Sequence, residues 1–243
     1  MKGIVLAGGL GTRLAPLTRD NNKHALAVYD RLMIEYPIAA LVDAGIKEII
    51  LVTGGKKPGQ FLELLKDGSA HGIDRLYYSY QEGTGGIADA LKLARPFMDQ
   101  GESCTVILGD NYFESGIRTI IDKYDTSSCE GASVYLKRTD RPWDFGIAEV
   151  DNDKIISIEE KPASPRSDLA ALGCYVFDEM VWEYIDEISP SDRGELEVTD
   201  LLKIYMNDGK LSYAKYDSFW SDMGSFDSLL EVSQRVSDSG GYL

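Results

Sequence analysis

Apolar runs recur along the first half of this chain, separated by stretches with helical spacing. Gly3-Ile4-Val5-Leu6 and Thr105-Val106-Ile107-Leu108 are unbroken, as expected of buried strands. Glu48-Ile49-Ile50-Leu51-Val52-Thr53 and Leu76-Tyr77-Tyr78 read as two more strands. Helices are expected from about Ile34 to Ala44, stopped by Gly45, from Gln60 to Leu65, and from Ile87 to Ala94. Strands separated by helices at this spacing pair in parallel through crossover connections.

Past Cys129 the rhythm changes. Ala132 to Leu136, Ile147 to Val150 and Ile155 to Ile158 read as strands, the last two joined by a hairpin turn at Asp151-Asn152-Asp153. Leu172 to Phe177 is another strand, and helices follow at Met180 to Ile185, Glu197 to Met206 and Ser225 to Val236. The pattern predicts one α/β domain over residues 1–243. It is a three-layer sandwich with a mixed, mostly parallel central sheet and antiparallel elements added in the second half.

Composition narrows the chemistry. The 243 residues are 44% hydrophobic, enough for a full core, and the net charge of −15 disfavours nucleic acid and anionic membranes as partners. Met1 leads straight into the first strand, leaving no room for a signal peptide, and no apolar run approaches a membrane span. Cys104, Cys129 and Cys174 form no C-x-x-C pair and read as buried free thiols in a reducing compartment, so the expected location is cytoplasmic. With only His24 and His71, there is little material for a histidine metal cage or a Ser-His-Asp triad.

The first strand runs into Leu6-Ala7-Gly8-Gly9-Leu10-Gly11-Thr12-Arg13-Leu14. Three glycines in four positions let backbone N–H groups approach phosphate oxygens, and Arg13 adds a forked, permanent cation. Leu14 stands where a dinucleotide fingerprint needs its last glycine, which disfavours an NAD-dependent oxidoreductase, and no Gly-Lys-Ser/Thr run forms a P-loop. Both this loop and Asp110 follow strand ends, where ligands of parallel sheets sit.

Other polar residues have ordinary explanations when taken singly. Lys23 could be a solvated lysine, Asp110 a turn cap, Glu159-Glu160-Lys161-Pro162 a charged strand edge, and Asp222 a lone acid after an aromatic strand. Together they resemble a family. Gly8 to Leu14, Asn22-Lys23-His24, Gly85-Gly86-Ile87-Ala88, Leu108-Gly109-Asp110-Asn111, Phe145-Gly146, Glu159 to Pro162, Arg193-Gly194-Glu195-Leu196-Glu197-Val198-Thr199-Asp200 and Asp222-x-Gly224 occur in the order seen in sugar-1-phosphate nucleotidyltransferases. Among these, the sequence is most similar to the glucose-1-phosphate thymidylyltransferases.

The resemblance implies a Rossmann-like fold and a Mg²⁺-dependent reaction of dTTP with glucose 1-phosphate, giving dTDP-glucose and pyrophosphate. It implies that Gly8, Gly9, Gly11 and Thr12 hold the triphosphate, with Arg13 and Lys23 on its phosphates and Asp110 and Asp222 on Mg²⁺. Gln81 and Gly86 would read the base. Gly146, Glu160 and Tyr175 would line the sugar, with Lys161 and Arg193 on its phosphate. Residues 1–130 would mainly bind nucleotide, and residues 131–243 the sugar phosphate and a second copy in a homo-oligomer, a dimer or tetramer.

Uridylyl transfer from UTP, another sugar 1-phosphate, and a catalytically silent nucleotide-binding regulator stay open as alternatives. The chain departs from the family at Ala25-Leu26-Ala27-Val28 and Arg31-Leu32-Met33, where two prolines are missing and backbone restraint around Lys23 is expected to loosen. Asp89 stands where the family often has glutamine, and Ala171-Leu172 replaces a Val-Thr pair. Longer relatives continue with helices that help form a regulatory nucleotide site. The resemblance therefore implies a short form with a flexible polar tail over 237–243, and feedback inhibition that is weak or purely competitive.

Overall fold

The structure is a computed structural model that describes residues 1–126 and 130–241. The first half contains strands β1 (Lys2–Ala7), β2 (Ala27–Val28) and β3 (Arg31–Leu32), helix α1 (Glu35–Asp43), β4 (Glu48–Gly54), α2 (Gln60–Leu65), β5 (Arg75–Gln81), α3 (Ile87–Lys92), β6 (Cys104–Leu108), β7 (Asn111–Phe113) and α4 (Arg118–Thr126). The second half contains β8 (Ala132–Arg138), β9 (Gly146–Asp151), β10 (Lys154–Glu160), β11 (Leu169–Phe177), α5 (Val181–Glu187), α6 (Val198–Asn207), β12 (Leu211–Lys215), β13 (Trp220–Asp222) and α7 (Phe226–Asp238).

Nine strands form one sheet that runs through both halves. Its main path is β10-β9-β11-β6-β1-β4-β5, with β8 joining β11 to β12. β6, β1, β4 and β5 are mutually parallel, while β11 runs antiparallel to β6, β8 and β9. The chain passes from β1 to β4 and β5 on one side, then returns to β6 on the other. This reversal opens a crevice at the carboxyl ends of β1 and β6, where α/β sheets bind ligands. Leu6 pairs with Leu108, so the glycine loop after β1 and Asp110 after β6 leave the sheet side by side.

One face of the sheet buries Ile34, Ile38 and Leu41 around α1 together with Ile120 and Tyr124 of α4. The other buries Leu91 of α3, Trp182 and Ile185 of α5, and Leu201, Leu202 and Tyr205 of α6. The fold thus has the expected three layers. A third cluster joins Leu14, just past the glycine loop, to Met223 and to Val232 and Val236 of α7. Asn152 and Asp153 both have positive φ, the conformation of a tight hairpin turn between β9 and β10.

Three expectations need revision. The segment around Lys23 is ordered without its prolines, for reasons given below. The tail is not free over its described length, because α7 runs to Asp238 and Gly241 donates back to the Val236 carbonyl at 2.9 Å. β2, β3, β7, α4 and β12 add to the elements expected from the sequence. Cys104 and Cys174 are buried free thiols as expected, whereas Cys129 lies outside the described residues. Among the described residues no helix is long and apolar enough to cross a membrane.

Candidate active site

The glycine loop turns sharply between β1 and a short helical turn over Thr12–Leu14. Gly11 has φ 64°, and a Cβ there would lie 2.7 Å from the Cβ of Lys23, so the turn admits no side chain. Leu14 is fully buried and pins the turn to the α7 cluster, leaving Arg13 exposed at the loop's outer edge. Arg13 Nη2 lies 4.0 Å from Asp222 Oδ2.

Lys23 occupies a second short turn, Lys23–Ala25, which the side chain of Asn22 caps. Asn22 is buried, and its amide nitrogen donates to the Gly54 and Lys56 carbonyls at 3.0 and 3.2 Å. Its oxygen accepts from the backbone N–H of His24 and pairs with the ring Nδ1 at 2.9 Å. Burial and the neighbouring ammonium of Lys23 pull the His24 imidazole down to about 3, so the ring is neutral and donates through Nδ1. These bonds tie the turn to the end of β4 and replace the restraint that proline would supply.

The result is a fixed position for Lys23, whose ammonium lies 2.5 Å from Asp110 Oδ2 with both side chains largely buried. Burial alone would raise the Asp110 carboxyl. The ion pair outweighs it and holds the group well below the usual carboxylate range. Asn111 donates to the other oxygen of Asp110 at 2.9 Å.

Asp222 reaches the same place from the far half of the sequence. β13 pairs with β7 so that Asp222 sits opposite Asn111, and Met223 N donates to the Asp110 carbonyl at 2.8 Å. Burial first, and the Asp110 carboxylate second, push the Asp222 carboxyl up to about 6, with Arg13 pulling the other way. Two acids that converge at this cost are suited to a shared cation. Among the described residues no three His, Cys, Asp or Glu side chains are grouped so as to hold a metal ion by themselves. Mg²⁺ commonly takes one or two carboxylates and completes its shell with water and phosphate oxygens, so this pair fits it.

Two cavities meet at Asp110. The first, of 360 Å³, is lined by Gly8, Gly9, Gly11 and Thr12, and on its other walls by Lys23, Gln81, Gly86 and Asp110. The second, of 150 Å³, is lined by Gly146, Glu160, Lys161 and Tyr175, closing on Asp110 and Asp222. Ile87 and Leu108 also border both. The structure therefore brings together the residues that the sequence placed in two groups. Arg13 and Arg193 stand outside these walls.

Arg193 and Lys161 differ in how free they are. Arg193 Nη2 donates to both Glu197 carboxylate oxygens at 2.8 Å and lies 3.4 Å from Glu160. Lys161, with φ 42°, has its ammonium 3.8 Å from Glu160 and lines the second cavity. Burial pushes the Glu160 carboxyl up, as does Glu197, against the pull of Lys161 and Arg193.

Several participants were not assigned roles from the sequence. Asn22 and His24 look solvated in a polar stretch, and only their burial reveals the tether. Thr199 lines the second cavity, where its buried hydroxyl faces the Glu160 carboxylate and opposes the upward push of burial on it. Trp220, in the same wall, donates to Asn111 Oδ1 at 2.8 Å. The motif Glu197-Val198-Thr199 carried the signal for Thr199, but nothing in it marks which side chain turns inward.

Comparisons with known proteins bear on the whole chain. A glucose-1-phosphate thymidylyltransferase of Neisseria gonorrhoeae is 42% identical over 239 residues, covering 97% of this chain and 82% of its own length. A solved Bacillus anthracis structure, assigned to glucose-1-phosphate thymidylyltransferase and holding sucrose, superposes with a TM-score of 0.91 at 41% identity. It covers 98% of this chain and 96% of its own. A UDP-glucose pyrophosphorylase bound to UDP-glucose shares the fold, with a TM-score of 0.83 at 21% identity and 98% of each chain covered. The chain belongs to the nucleotidyl transferase family, whose model matches residues 2–239.

Proposed function

We propose that this chain moves a thymidylyl group from dTTP to the phosphate of glucose 1-phosphate, forming dTDP-glucose and pyrophosphate. Relatives named for that activity align with nearly the whole chain. The observation that carries the reading is the meeting of two cavities at Asp110, one walled by a phosphate-fitting glycine loop and the other by Glu160, Lys161 and Tyr175.

On this reading an oxygen of the sugar phosphate attacks the α-phosphorus of the nucleotide. The bond to the bridging α,β-oxygen breaks, and its electrons leave with pyrophosphate. A phosphate monoester has its second pKa near about 6, so the nucleophile is ionised at neutral pH and no general base is required. The difficulty is bringing two anions into line, which cations and positioning answer.

Backbone groups of Gly8, Gly9, Gly11 and Thr12 receive the triphosphate, and Lys23 meets its phosphates beside Asp110. Arg13, exposed at the rim, folds onto the departing pyrophosphate. Asp110 and Asp222 would hold Mg²⁺, which supplies charge neutralisation at the reacting phosphate. Gln81 and Gly86 face the base. Gly146, Glu160 and Tyr175 take the sugar. Lys161 contacts the sugar phosphate directly, while Arg193, tied to Glu197, adds its charge from behind. Residues 1–130 chiefly serve the nucleotide, and residues 131–243 serve the sugar phosphate and contacts between copies in a cytoplasmic dimer or tetramer.

The test is pyrophosphate release over a grid of nucleoside triphosphates and sugar 1-phosphates, with and without EDTA. The expected maximum is dTTP with glucose 1-phosphate, abolished by EDTA. UTP well ahead of dTTP would make the chain a uridylyltransferase, and no release from any pair would remove the reaction.

A further inference from the structure

Asp89 lies in the first turn of α3 and does not line the nucleotide cavity, yet it holds Gln81, the one side-chain amide among the described residues that does. The Gln81 amide nitrogen donates to Asp89 Oδ2 at 2.8 Å and to the Gly86 carbonyl at 3.1 Å. An amide nitrogen has two protons, and both are spent here. Turning the amide over would set its oxygen against a carboxylate and a carbonyl, three acceptors with no proton among them. The orientation is therefore fixed, with nitrogen inward and Oε1 toward the glycine loop. There a Cβ on Gly8 would lie 2.5 Å from that oxygen.

We propose that Asp89 is a positioning residue that makes Gln81 a pure hydrogen-bond acceptor and thereby selects pyrimidines carrying an N3–H. The inference rests on the first cavity being the nucleoside triphosphate site. Thymine and uracil offer N3–H between two carbonyl oxygens, which suits a lone acceptor. Cytosine offers a bare N3 lone pair, which Oε1 repels. A free glutamine could serve either base by rotating its amide, and an amide at position 89 could itself donate or accept. A carboxylate can only accept, so it removes that freedom. This is selection by an unpaired acceptor rather than by size, the stronger kind of discrimination.

The experiment measures Kd and kcat/KM for dTTP and for dCTP, with Mg²⁺ present, on the full chain and on Asp89→Ala and Asp89→Asn. A charge-assisted hydrogen bond corresponds to about 10- to 100-fold in an equilibrium constant. Asp89→Ala is expected to lower the preference for dTTP over dCTP by about tenfold or more. Asp89→Asn, whose amide can donate to Gln81 as well as accept from it, should lose part of that preference but less than Asp89→Ala, because its oxygen and the Gly86 carbonyl can still accept from the Gln81 amide. A preference unchanged in Asp89→Ala, with both nucleotides weakened alike, would assign Asp89 a merely structural role and overturn the proposal. Equal loss in Asp89→Asn, or a wild-type protein that binds dCTP as well as dTTP, would also overturn it. If the wild-type protein prefers dTTP in an Asp89-dependent way but releases no pyrophosphate with any sugar phosphate, the reaction fails and this inference stands. Pyrophosphate release with an Asp89-independent preference means the reverse: the reaction stands and the role of Asp89 fails.

Discussion

Replacing Lys23 by methionine tests whether the centre of the site is also a strained part of the fold. Methionine fills much of the volume and removes the charge, leaving Asp110 with the hydrogen bond from the Asn111 amide at 2.9 Å. Removing one member of a buried ion pair costs about 3–5 kcal/mol. Here the surviving amide bond, and the carboxyl's ability to take up a proton, place the expected loss at about 3 kcal/mol, the lower end of that range. A chain of this size loses about 2–4 °C in Tm per kcal/mol, so Tm should fall by about 6–12 °C. The assay is thermal unfolding followed by far-ultraviolet circular dichroism at pH 8 in EDTA, so that no divalent cation substitutes for the ammonium. The double variant Lys23→Met with Asp110→Asn should recover most of the loss, because it removes the stranded charge and keeps the shape. A Tm within about 2 °C of the wild type, or a double variant no better than the single one, would refute the reasoning.

The two acids should separate in a related way. Asp222→Asn is expected to abolish Mg²⁺-dependent turnover while leaving Tm unchanged or slightly raised, since it relieves a repulsion. Asp110→Asn should abolish turnover and also lower Tm by stranding Lys23; activity assays and melts on both variants check this. Arg13→Ala should mainly raise KM for the triphosphate and Lys161→Ala mainly that for the sugar phosphate, by about tenfold or more; identical loss patterns would contradict the division. At the opposite end of β1, buried Lys2 pairs with Asp99 at 2.8 Å and Glu102 at 2.9 Å. Its hydrogen bond lowers the Asp99 carboxyl; at Glu102 burial pushes up most strongly, but Lys2, the Asp99 backbone N–H and the chain's amino terminus together outweigh it, so both lie below their usual range. Groups depressed on folding add stability above their unfolded pKa of about 4, and lose it as pH falls through the folded value. The deficit of Lys2→Met in urea midpoint should therefore be clear at pH 6 and shrink by pH 3.

The parts of the fold that the sequence reveals are those with a strong local period. β1 and β6 are continuous apolar runs, and α2 begins and ends where its sequence pattern does. The Asn152-Asp153 turn follows from its residue types. β7 is only three residues long and exists because β13 pairs with it, with Asp222 opposite Asn111 and Trp220 donating to the Asn111 side chain 109 residues away, contacts that no local pattern contains. β12 is a half-exposed strand on the margin of the sheet, with weak alternation. The candidate site follows the same logic. The glycine loop declares itself, whereas Asp110 and Asp222 look dispensable until strand pairing sets them together. Asp89 reads as a helix-entry acid, favourable near a helix N-terminus on any account, and only the direction of the Gln81 amide gives it another meaning.

The antiparallel pairing of β11 with β6 has a bearing on inhibitor design. Tyr175 pairs with Val106, so the wall of the smaller cavity and the strand that delivers Asp110 belong to one hydrogen-bonded ladder. That ladder sets the separation of the two cavities. If the cavities take the substrates proposed above, a single bisubstrate molecule joining a nucleoside to a hexose through a phosphate bridge would meet two receptors already spaced for it. Its second half would bind at the high effective concentration that a short tether gives.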